Sequence, residues 1–189
     1  MIPVLSFYLS TVSSLFAHAI SSLPIARTFG GSNFRKLALW SAVCAVLPDA
    51  DVLAFQFGIP YESALGHRGI THSFFFAALL ATILVLTVFR GSGLRRFTVW
   101  CCLFLATASH PLLDALTNGG LGVALLAPFS EERFFFSFRP IQVSPIGAGE
   151  FFTEWGLRVL KSEGIWVGLP SLAWFLMATI LRKSATNAE

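Results

Sequence analysis

Charged residues are scarce in this chain of 189 residues, because aspartate, glutamate, lysine and arginine together make up only 12% of it. A soluble globular domain carries about 25%. Apolar residues account for 55% of the sequence, and the mean hydropathy is +0.73. This composition excludes an ordinary soluble domain and indicates a membrane protein, with membrane lipid as its surroundings. The net charge of +3 is small and lies at the ends of apolar runs, which argues against a nucleic-acid partner.

Cysteine is also rare, and the familiar catalytic motifs are missing. Cys44, Cys101 and Cys102 lie inside apolar runs without CxxC spacing, so they are interpreted as small buried apolar residues. The sequence contains no HExxH, no GxSxG and no Walker-type glycine loop. No cysteine lies near a histidine at nucleophile spacing. Metal-activated water is therefore the hydrolytic chemistry that the remaining residues support best.

Five apolar runs predict an all-α fold, a polytopic membrane helix bundle of about five spans in a single membrane-embedded domain over residues 1–189. The runs cover residues 2–20, 37–57, 73–89, 97–116 and 165–181. Pro48 is expected to break the second run near Leu47, since proline removes a helical hydrogen bond. Residues 27–36 are expected to form a basic loop.

Residues 118–164 form the long segment between the fourth and fifth runs, and they are predicted to lie at the membrane interface. The stretch ERFFFSFRPIQV has too many aromatic residues to be fully exposed to water, and EFFTEWGLRVLK has apolar residues at helical spacing. Short basic loops tend to face the cytoplasm. Three basic groups, at residues 27–36, 90–96 and 182–183, alternate correctly with five spans. This pattern places the long segment, and the loop that contains His67 and His72, on the extracytoplasmic side.

Histidine and aspartate are concentrated in three short stretches, LPDADV, LGHRGITHSFFF and SHPLLDALTNGG. Six of the seven histidines and aspartates lie there, namely Asp49, Asp51, His67, His72, His110 and Asp114, and the seventh is His18. Ionisable residues at membrane depth are costly, so they usually pair, bind ions or line a pathway. Imidazole with carboxylate is a ligand set for zinc, manganese or iron. The sequence therefore predicts one metal site where the three stretches meet.

The spacing within two of the stretches leaves alternatives open. His110 and Asp114 are four residues apart and share a helix face. They are therefore either two ligands of one centre, or a polar spot between helices with Asp114 paired to an arginine. Asp49 and Asp51 either point inward from an irregular turn after Pro48 or cap the start of a helix.

The middle stretch carries the largest number of candidate residues. His67 is placed in a loop and His72 in the first turn of the third span, where the helix N-terminus helps to keep the imidazole neutral. Thr71 or Ser73 is expected to cap that helix or to orient a ligand. Arg68 either grips a phosphate or another anion in a bidentate manner or is a headgroup arginine. His18, alone on an apolar face, is either a core residue or a further ligand.

With these three motifs in this order, residues 18–129 resemble the YdjM-type family of bacterial inner-membrane proteins, which are regarded as metal-dependent hydrolases. The resemblance implies a multi-pass protein of the bacterial inner membrane, with Arg68 beside the metal site. It implies metal ligands at His18, Asp49 or Asp51, His67, His72, His110 and Asp114. More distantly, the arrangement is similar to that of zinc-dependent phospholipase C and P1 nuclease, which hydrolyse phosphodiesters, and this second step is analogy alone.

The sequence therefore predicts a metal-dependent hydrolase with about two divalent ions, zinc first and manganese or iron as alternatives. It would cleave a phosphoester of a lipid or lipid-linked substrate through metal-activated water. Asp49 or Asp51 would act as general base, and Arg68 would orient an anionic group. Two alternatives remain, a metal-ion transporter with its transit site at broken helices and a non-catalytic protein with a structural metal in closed coordination. The sequence predicts no particular oligomeric state.

Overall fold

The computed structural model describes residues 14–144 and 153–186, and every regular element within these ranges is helical. The α-helices of these ranges are α1 (Leu15–Gly30), α2 (Phe34–Val46), α3 (Phe74–Leu86), α4 (Arg96–Ala115), α5 (Glu154–Glu163) and α6 (Leu169–Thr186). Short 3-10 helices cover Gly31–Asn33, Leu47–Phe57 and Ile70–His72. A π-helical segment, Gly164–Gly168, joins α5 to α6 as one continuous rod. The prediction of an all-α fold is confirmed.

Three helical stretches of the described ranges are long and apolar enough to cross a membrane, namely Phe34–Phe57, Arg96–Ala115 and Glu154–Ser184. The helix α3 is apolar but has 13 residues, which corresponds to a length of about 20 Å. The hydrocarbon core of a bilayer is about 30 Å thick. The helix α3 is therefore too short to cross the hydrocarbon core by itself. Residues 2–13 of the first predicted run lie outside the described ranges.

The helix α1 continues to Gly30, ten residues past the end of the first predicted run. Ser14 caps α1 by accepting a hydrogen bond from the backbone N–H of Ala17 at 3.3 Å. Ser21 and Ser22 directly follow the first predicted run but do not interrupt the helix, because their hydroxyls donate to backbone carbonyls of its preceding turn at 2.8 and 2.7 Å. The predicted basic loop at residues 27–36 is reduced to the 3-10 turn Gly31–Asn33. His18 lies in the first turn of α1.

The predicted break near Leu47 is confirmed. The helix α2 ends at Val46, and the chain continues as a 3-10 helix over Leu47–Phe57. Pro48 occupies the start of this segment, where its missing N–H costs least. Gly58 ends the 3-10 helix with a φ of 73°, which glycine adopts readily.

The first four helices run antiparallel, so the bundle has two distinct ends. The site end contains the N-termini of α1 and α3 and the C-termini of α2 and α4, and it holds all the histidines and aspartates. The basic end carries Arg27, Arg35, Lys36, Arg90, Arg95, Arg96, Arg182 and Lys183. Contacts at the basic end join its helices, since Arg182 Nη2 donates to the Thr28 carbonyl at 2.8 Å and Lys36 Nζ donates to the Val88 carbonyl at 3.1 Å. Buried apolar residues such as Leu37, Val99 and Leu103 fill the space between the two ends.

Two loops, residues 58–69 and residues 116–144, fold together over the site end and form a cap. Val123 and Phe134 pair as an antiparallel bridge, and the backbone N–H of Ala124 donates to the Arg68 carbonyl at 3.0 Å. The guanidinium of Arg133 donates to five backbone carbonyls, those of Tyr61, Ser63, His67, Arg68 and Gly122. The cap therefore fixes the loop from which His67 and Arg68 reach inward.

Gly66 is expected to be essential to the cap, because a Cβ at this position would collide with the backbone carbonyl oxygens of Pro60 and Tyr61. Since both are main-chain atoms, Gly66→Ala must displace the loop. We expect it to lower the free energy of unfolding by about 1–3 kcal/mol or more. Tryptophan fluorescence during thermal unfolding in detergent measures the effect.

Gly91→Ala is the matched control for this substitution, because a Cβ there meets nothing within 4 Å. It should unfold at the same temperature as the wild-type protein. Equal unfolding temperatures for the two variants would contradict the described packing of the cap.

Candidate metal centre

Four side chains converge at the site end of the bundle, those of Asp49, His72, His110 and Asp114. Each offers one ligand atom, and the four atoms lie within 4.8 Å of one another. The residues His72, His110 and Asp114 are fully buried, and Asp49 is 6% exposed. We call these four residues the primary group.

Three separate elements bring the primary group together. Asp49 comes from the 3-10 helix after α2, and His72 comes from the 3-10 turn before α3. His110 and Asp114 lie one turn apart near the end of α4 and both face the site, so the prediction of a shared helix face is confirmed. The prediction for His72 is wrong by two residues, because Ser73 caps α3 by accepting from the Phe76 N–H at 3.1 Å and the helix begins at Phe74.

The spacing of the ligand atoms matches the coordination sphere of one ion. The two Nε2 atoms of His72 and His110 are 2.9 Å apart. Asp49 Oδ1 lies 3.6 and 3.3 Å from them, and Asp114 Oδ2 lies 3.3 and 3.5 Å from them. Ligands bound tetrahedrally at zinc bond lengths of 2.0–2.1 Å are separated from each other by about 3.3–3.4 Å.

Hydrogen bonds at the far side of each ring fix the tautomers of the two histidines. His110 Nδ1 donates to the Ala45 carbonyl at 2.7 Å, since a carbonyl only accepts. His72 Nδ1 faces Asp51 Oδ2 at 3.1 Å. With these tautomers both Nε2 atoms direct lone pairs into the same space, where a cation can lie between them. Metal-binding histidines commonly have such partners on the nitrogen that does not bind the ion.

The charge environment of His72 also favours a cation at this position. Burial lowers the pKa of His72, but its contacts with Asp114, Asp49 and Asp51 outweigh burial and raise the pKa well above its ordinary value. Both carboxylate oxygens of Asp49 are buried without a hydrogen-bond partner among the described residues. Unsatisfied buried carboxylate oxygens are costly. These residues therefore fit a bound metal ion.

A second group, Asp51, His67 and His72, adjoins the primary group and shares His72 with it. His67 Nδ1 donates to Asp51 Oδ1 at 2.6 Å, and Thr71 Oγ1 donates to Asp51 Oδ2 at 2.6 Å. Both oxygens of Asp51 are thus hydrogen-bonded, in contrast to those of Asp49. This difference favours Asp49 as a ligand and Asp51 as the residue that orients His67 and His72. Burial lowers the pKa of His67, which favours the neutral ring.

His18 lies against the primary group but belongs to neither ligand group. Its ring stacks on that of His110, with 3.7 Å between centroids, and its Nε2 is 3.5 Å from Asp114 Oδ1. It is fully buried, and neither ring nitrogen has a hydrogen-bond partner within the described part of the chain. The structure therefore places His18 at the site, where it can offer a further nitrogen.

Arg68 is fully buried beside Asp114, and its guanidinium is largely occupied by the protein itself. Its Nη1 donates to the carbonyls of Gly119 and Leu121 at 3.0 and 3.2 Å, and its Nη2 donates to Thr117 Oγ1 at 3.0 Å. Its Nε lies 3.4 Å from Asp114 Oδ2. These contacts favour a role in orienting Asp114 and holding the cap.

Some groups around the site were not found from the sequence. The Ala45 carbonyl is a main-chain atom that carries no signal in the residue type. Arg133 lies on the long segment, far along the chain from the loop that it supports. Thr117 lies within the third stretch and supports Arg68 from 49 positions away. The five backbone carbonyls that accept from Arg133 come together only when the two loops of the cap fold against each other.

The fold and the site define a helical membrane protein with a buried histidine–aspartate cluster able to hold a metal ion. A family model described as YdjM inner membrane protein matches residues 11–185. The chain belongs to this family, as the three motifs predicted. It is 38% identical over 160 residues to inner membrane protein YbcI of Escherichia coli (strain K12). The aligned region covers 84% of this chain and 92% of that protein. No solved structure matches the chain.

The two aspartates of the LPDADV stretch are expected to differ in their effect on metal binding. Asp49→Asn should abolish binding, because it removes a ligand charge. Asp51→Asn should weaken it by about 10–100-fold, as the loss of a residue that orients a ligand does. Zinc titration and elemental analysis of the protein in detergent measure both effects.

Glu154→Gln is the matched control for both aspartate variants, since its side chain is 96% exposed on α5. It should bind zinc like the wild-type protein. An Asp51→Asn variant as deficient in metal as Asp49→Asn would contradict the division of roles.

Proposed function

We propose that this protein is a membrane-bound metal-dependent hydrolase that cleaves a phosphoester of a lipid or lipid-linked substrate. The observation that carries the proposal is the convergence of two imidazoles and two carboxylates whose ligand atoms face one another inside the protein. Zinc is the metal that suits this ligand set and spacing best, and manganese and iron accept the same donors.

We further propose one ion per chain rather than the two predicted from the sequence. His72 is shared by both ligand groups, and its Nδ1 is already directed at Asp51. Asp51 in turn accepts hydrogen bonds from His67 and Thr71. The primary group would therefore hold the ion, and the second group would support it. Elemental analysis distinguishes one ion from two.

The protein's own residues divide the work of hydrolysis among them. A divalent ion held by the primary group supplies Lewis acidity, which polarises a phosphoryl oxygen and activates water. Asp49 retains a second buried oxygen without a hydrogen-bond partner in the described residues, so it can accept the proton of the attacking water as general base. Arg68 keeps the carboxylate of Asp114 in place.

Aromatic side chains around the site end support a lipid substrate. Phe129, Phe136, Phe138 and Trp166 are 83%, 45%, 60% and 47% exposed, and the rings of Phe138 and Trp166 are 5.2 Å apart. Exposed aromatic residues gather where the bilayer meets water. This belt would hold the site at headgroup depth, where a phosphate of a lipid reaches it. The substrate would reach the centre past Asp49, the one member of the primary group with measurable exposure.

The distribution of basic residues supports an extracytoplasmic site. Eight of the 13 arginines and lysines lie at the basic end, opposite the metal centre, and they include those of the short loops at residues 31–33 and 87–95 and beside them. Because basic loops tend to remain in the cytoplasm, the site end would face the other side of the inner membrane.

Cysteine labelling of whole cells is expected to report this orientation. In a Cys101→Ser background, which leaves the two buried cysteines, Glu62→Cys at the site end should react with a membrane-impermeant maleimide. Ser92→Cys at the basic end should react only after the cells are permeabilised. The reverse pattern would place the metal centre in the cytoplasm.

A structural metal site is the second candidate function, and one observation favours it. The side chains of His18, His67, His72, His110 and Asp114 are all 0% exposed. An enzyme must admit its substrate and water, whereas a structural ion needs neither. The two candidates differ in what happens when the metal is removed and returned.

Phospholipid hydrolysis in mixed micelles is expected from the zinc-loaded wild-type protein. Chelation should stop hydrolysis and zinc should restore it, because the ion activates the water. His72→Ala, Asp114→Ala and Asp49→Asn should lower the rate by at least about 100-fold, while Glu154→Gln should retain it. Mass spectrometry of the released headgroup or phosphate measures the rate. Metal binding that stabilises the protein without any hydrolysis would favour the structural candidate.

A further inference from the structure

A buried carboxylate outside both ligand groups lies close to the metal centre. Glu163 ends α5, where the π-helical segment begins, and it is 5% exposed. Its Oε1 accepts from the backbone N–H of Ser14 at 2.7 Å, and its Oε2 accepts from the hydroxyl of Ser14 at 2.5 Å. A buried carboxylate is costly unless it is well hydrogen-bonded. None of the roles described so far uses this residue.

The residue that Glu163 binds is the start of the helix that carries His18. The Ser14 hydroxyl donates to Glu163 and also accepts from the Ala17 N–H, which caps α1. The Ser14 carbonyl accepts from the backbone N–H groups of Ala17 and His18 at 3.0 and 3.4 Å. One continuous set of hydrogen bonds therefore leads from Glu163 through Ser14 to the backbone of His18.

Apolar packing between α1, the last helical rod and the cap lies beside this contact. Ala17 of α1, Val167 of the π-helical segment and Ile141 of the cap form a buried cluster, against which Leu113 and Leu116 pack. Ala17 adjoins His18 in sequence, and Leu113 adjoins Asp114. The last helical rod thus packs on α1 beside the metal centre, and the end of α4 packs on the same apolar cluster. Single π-helical turns within longer helices occur frequently at functional sites.

Contacts at the basic end fix the other ends of the same helices. Arg27 Nε donates to Thr179 Oγ1 at 2.9 Å, and Arg182 Nη2 donates to the Thr28 carbonyl at 2.8 Å. The helix α1 and the last helical rod, α5 to α6, are therefore joined at both ends of α1, and of these joints only the one at Glu163 lies beside the site.

We infer that Glu163 is a positioning residue of the metal centre, which holds the start of α1 so that His18 lies against His110 and Asp114. This inference rests on the proposed metal centre but not on hydrolysis. It assigns a function to the last helical rod, which contributes no residue to either ligand group in the described ranges. It also explains a buried carboxylate that has a serine rather than a cation as its partner.

Cobalt(II) is the probe for this inference, because its visible absorption spectrum reports the geometry of its ligands. Glu163→Ala should change the spectrum in the same direction as His18→Ala. It should also weaken cobalt binding by about 10–100-fold, as expected for a residue that holds a ligand in place. The double variant His18→Ala/Glu163→Ala should bind no more weakly than His18→Ala alone, because both changes disturb one element.

Two controls separate positioning from general stability. Glu154→Ala removes an exposed carboxylate from the same rod, and Arg182→Ala breaks the joint at the opposite end. Both should keep the wild-type cobalt spectrum, even if Arg182→Ala unfolds at a lower temperature. Ser14→Ala removes the hydroxyl but keeps the N–H donor, so it should give a smaller change than Glu163→Ala and replaces that variant if it does not fold.

The possible outcomes distinguish this inference from the proposed function. Cobalt binding by Glu163→Ala or Ser14→Ala with wild-type affinity and spectrum overturns the inference alone. Additive weakening in the double variant also overturns it, because Glu163 would then act independently of His18. Failure of the wild-type protein to bind cobalt or zinc overturns the metal centre and this inference together.

Discussion

The opposition of two imidazole nitrogens at 2.9 Å is the interaction on which the rest of this structure depends. Each ring already uses its other nitrogen, His110 toward a carbonyl and His72 toward Asp51, so neither can turn its lone pair away. Two carboxylates lie beside them in an interior of low dielectric, where unpaired polar groups are most costly. A divalent cation held by these four residues would relieve all of these conflicts at once. The arrangement of the helix ends is best understood as the means of bringing four such ligand atoms together.

Around the ligand atoms lies a layer of residues that hold them. Asp51 and Thr71 orient the histidines of the middle stretch, and Arg68 binds Asp114 and the cap. Arg133 joins the two loops of the cap through main-chain carbonyls, and the proposed joint at Glu163 holds α1. A metal site works only when its ligands keep their geometry, and such outer contacts are its usual means. The centre therefore depends on almost every element of the chain that the structure describes.

Much of the architecture could be predicted from local patterns. The apolar runs predicted helices, Pro48 predicted the break after Val46, and a spacing of four predicted that His110 and Asp114 share a face. The continuation of α1 past residue 20 could not be predicted in this way, because Ser21 and Ser22 resemble the end of a helix until their hydroxyls are seen to donate within it. His72 was placed in a helix that begins two residues later, because Ser73 rather than Thr71 is the cap.

The sequence by itself determined that the chain is helical, that it belongs in a membrane and that its histidines and aspartates are confined to a few stretches. Hydropathy and helical period act over short windows, so the residue order is enough to reveal them. Only the tertiary structure decided that Asp49 has free oxygens while those of Asp51 are occupied, that Arg68 turns inward and that Glu163 reaches Ser14. These distinctions rest on contacts between residues 16 to 149 positions apart, which no local pattern records.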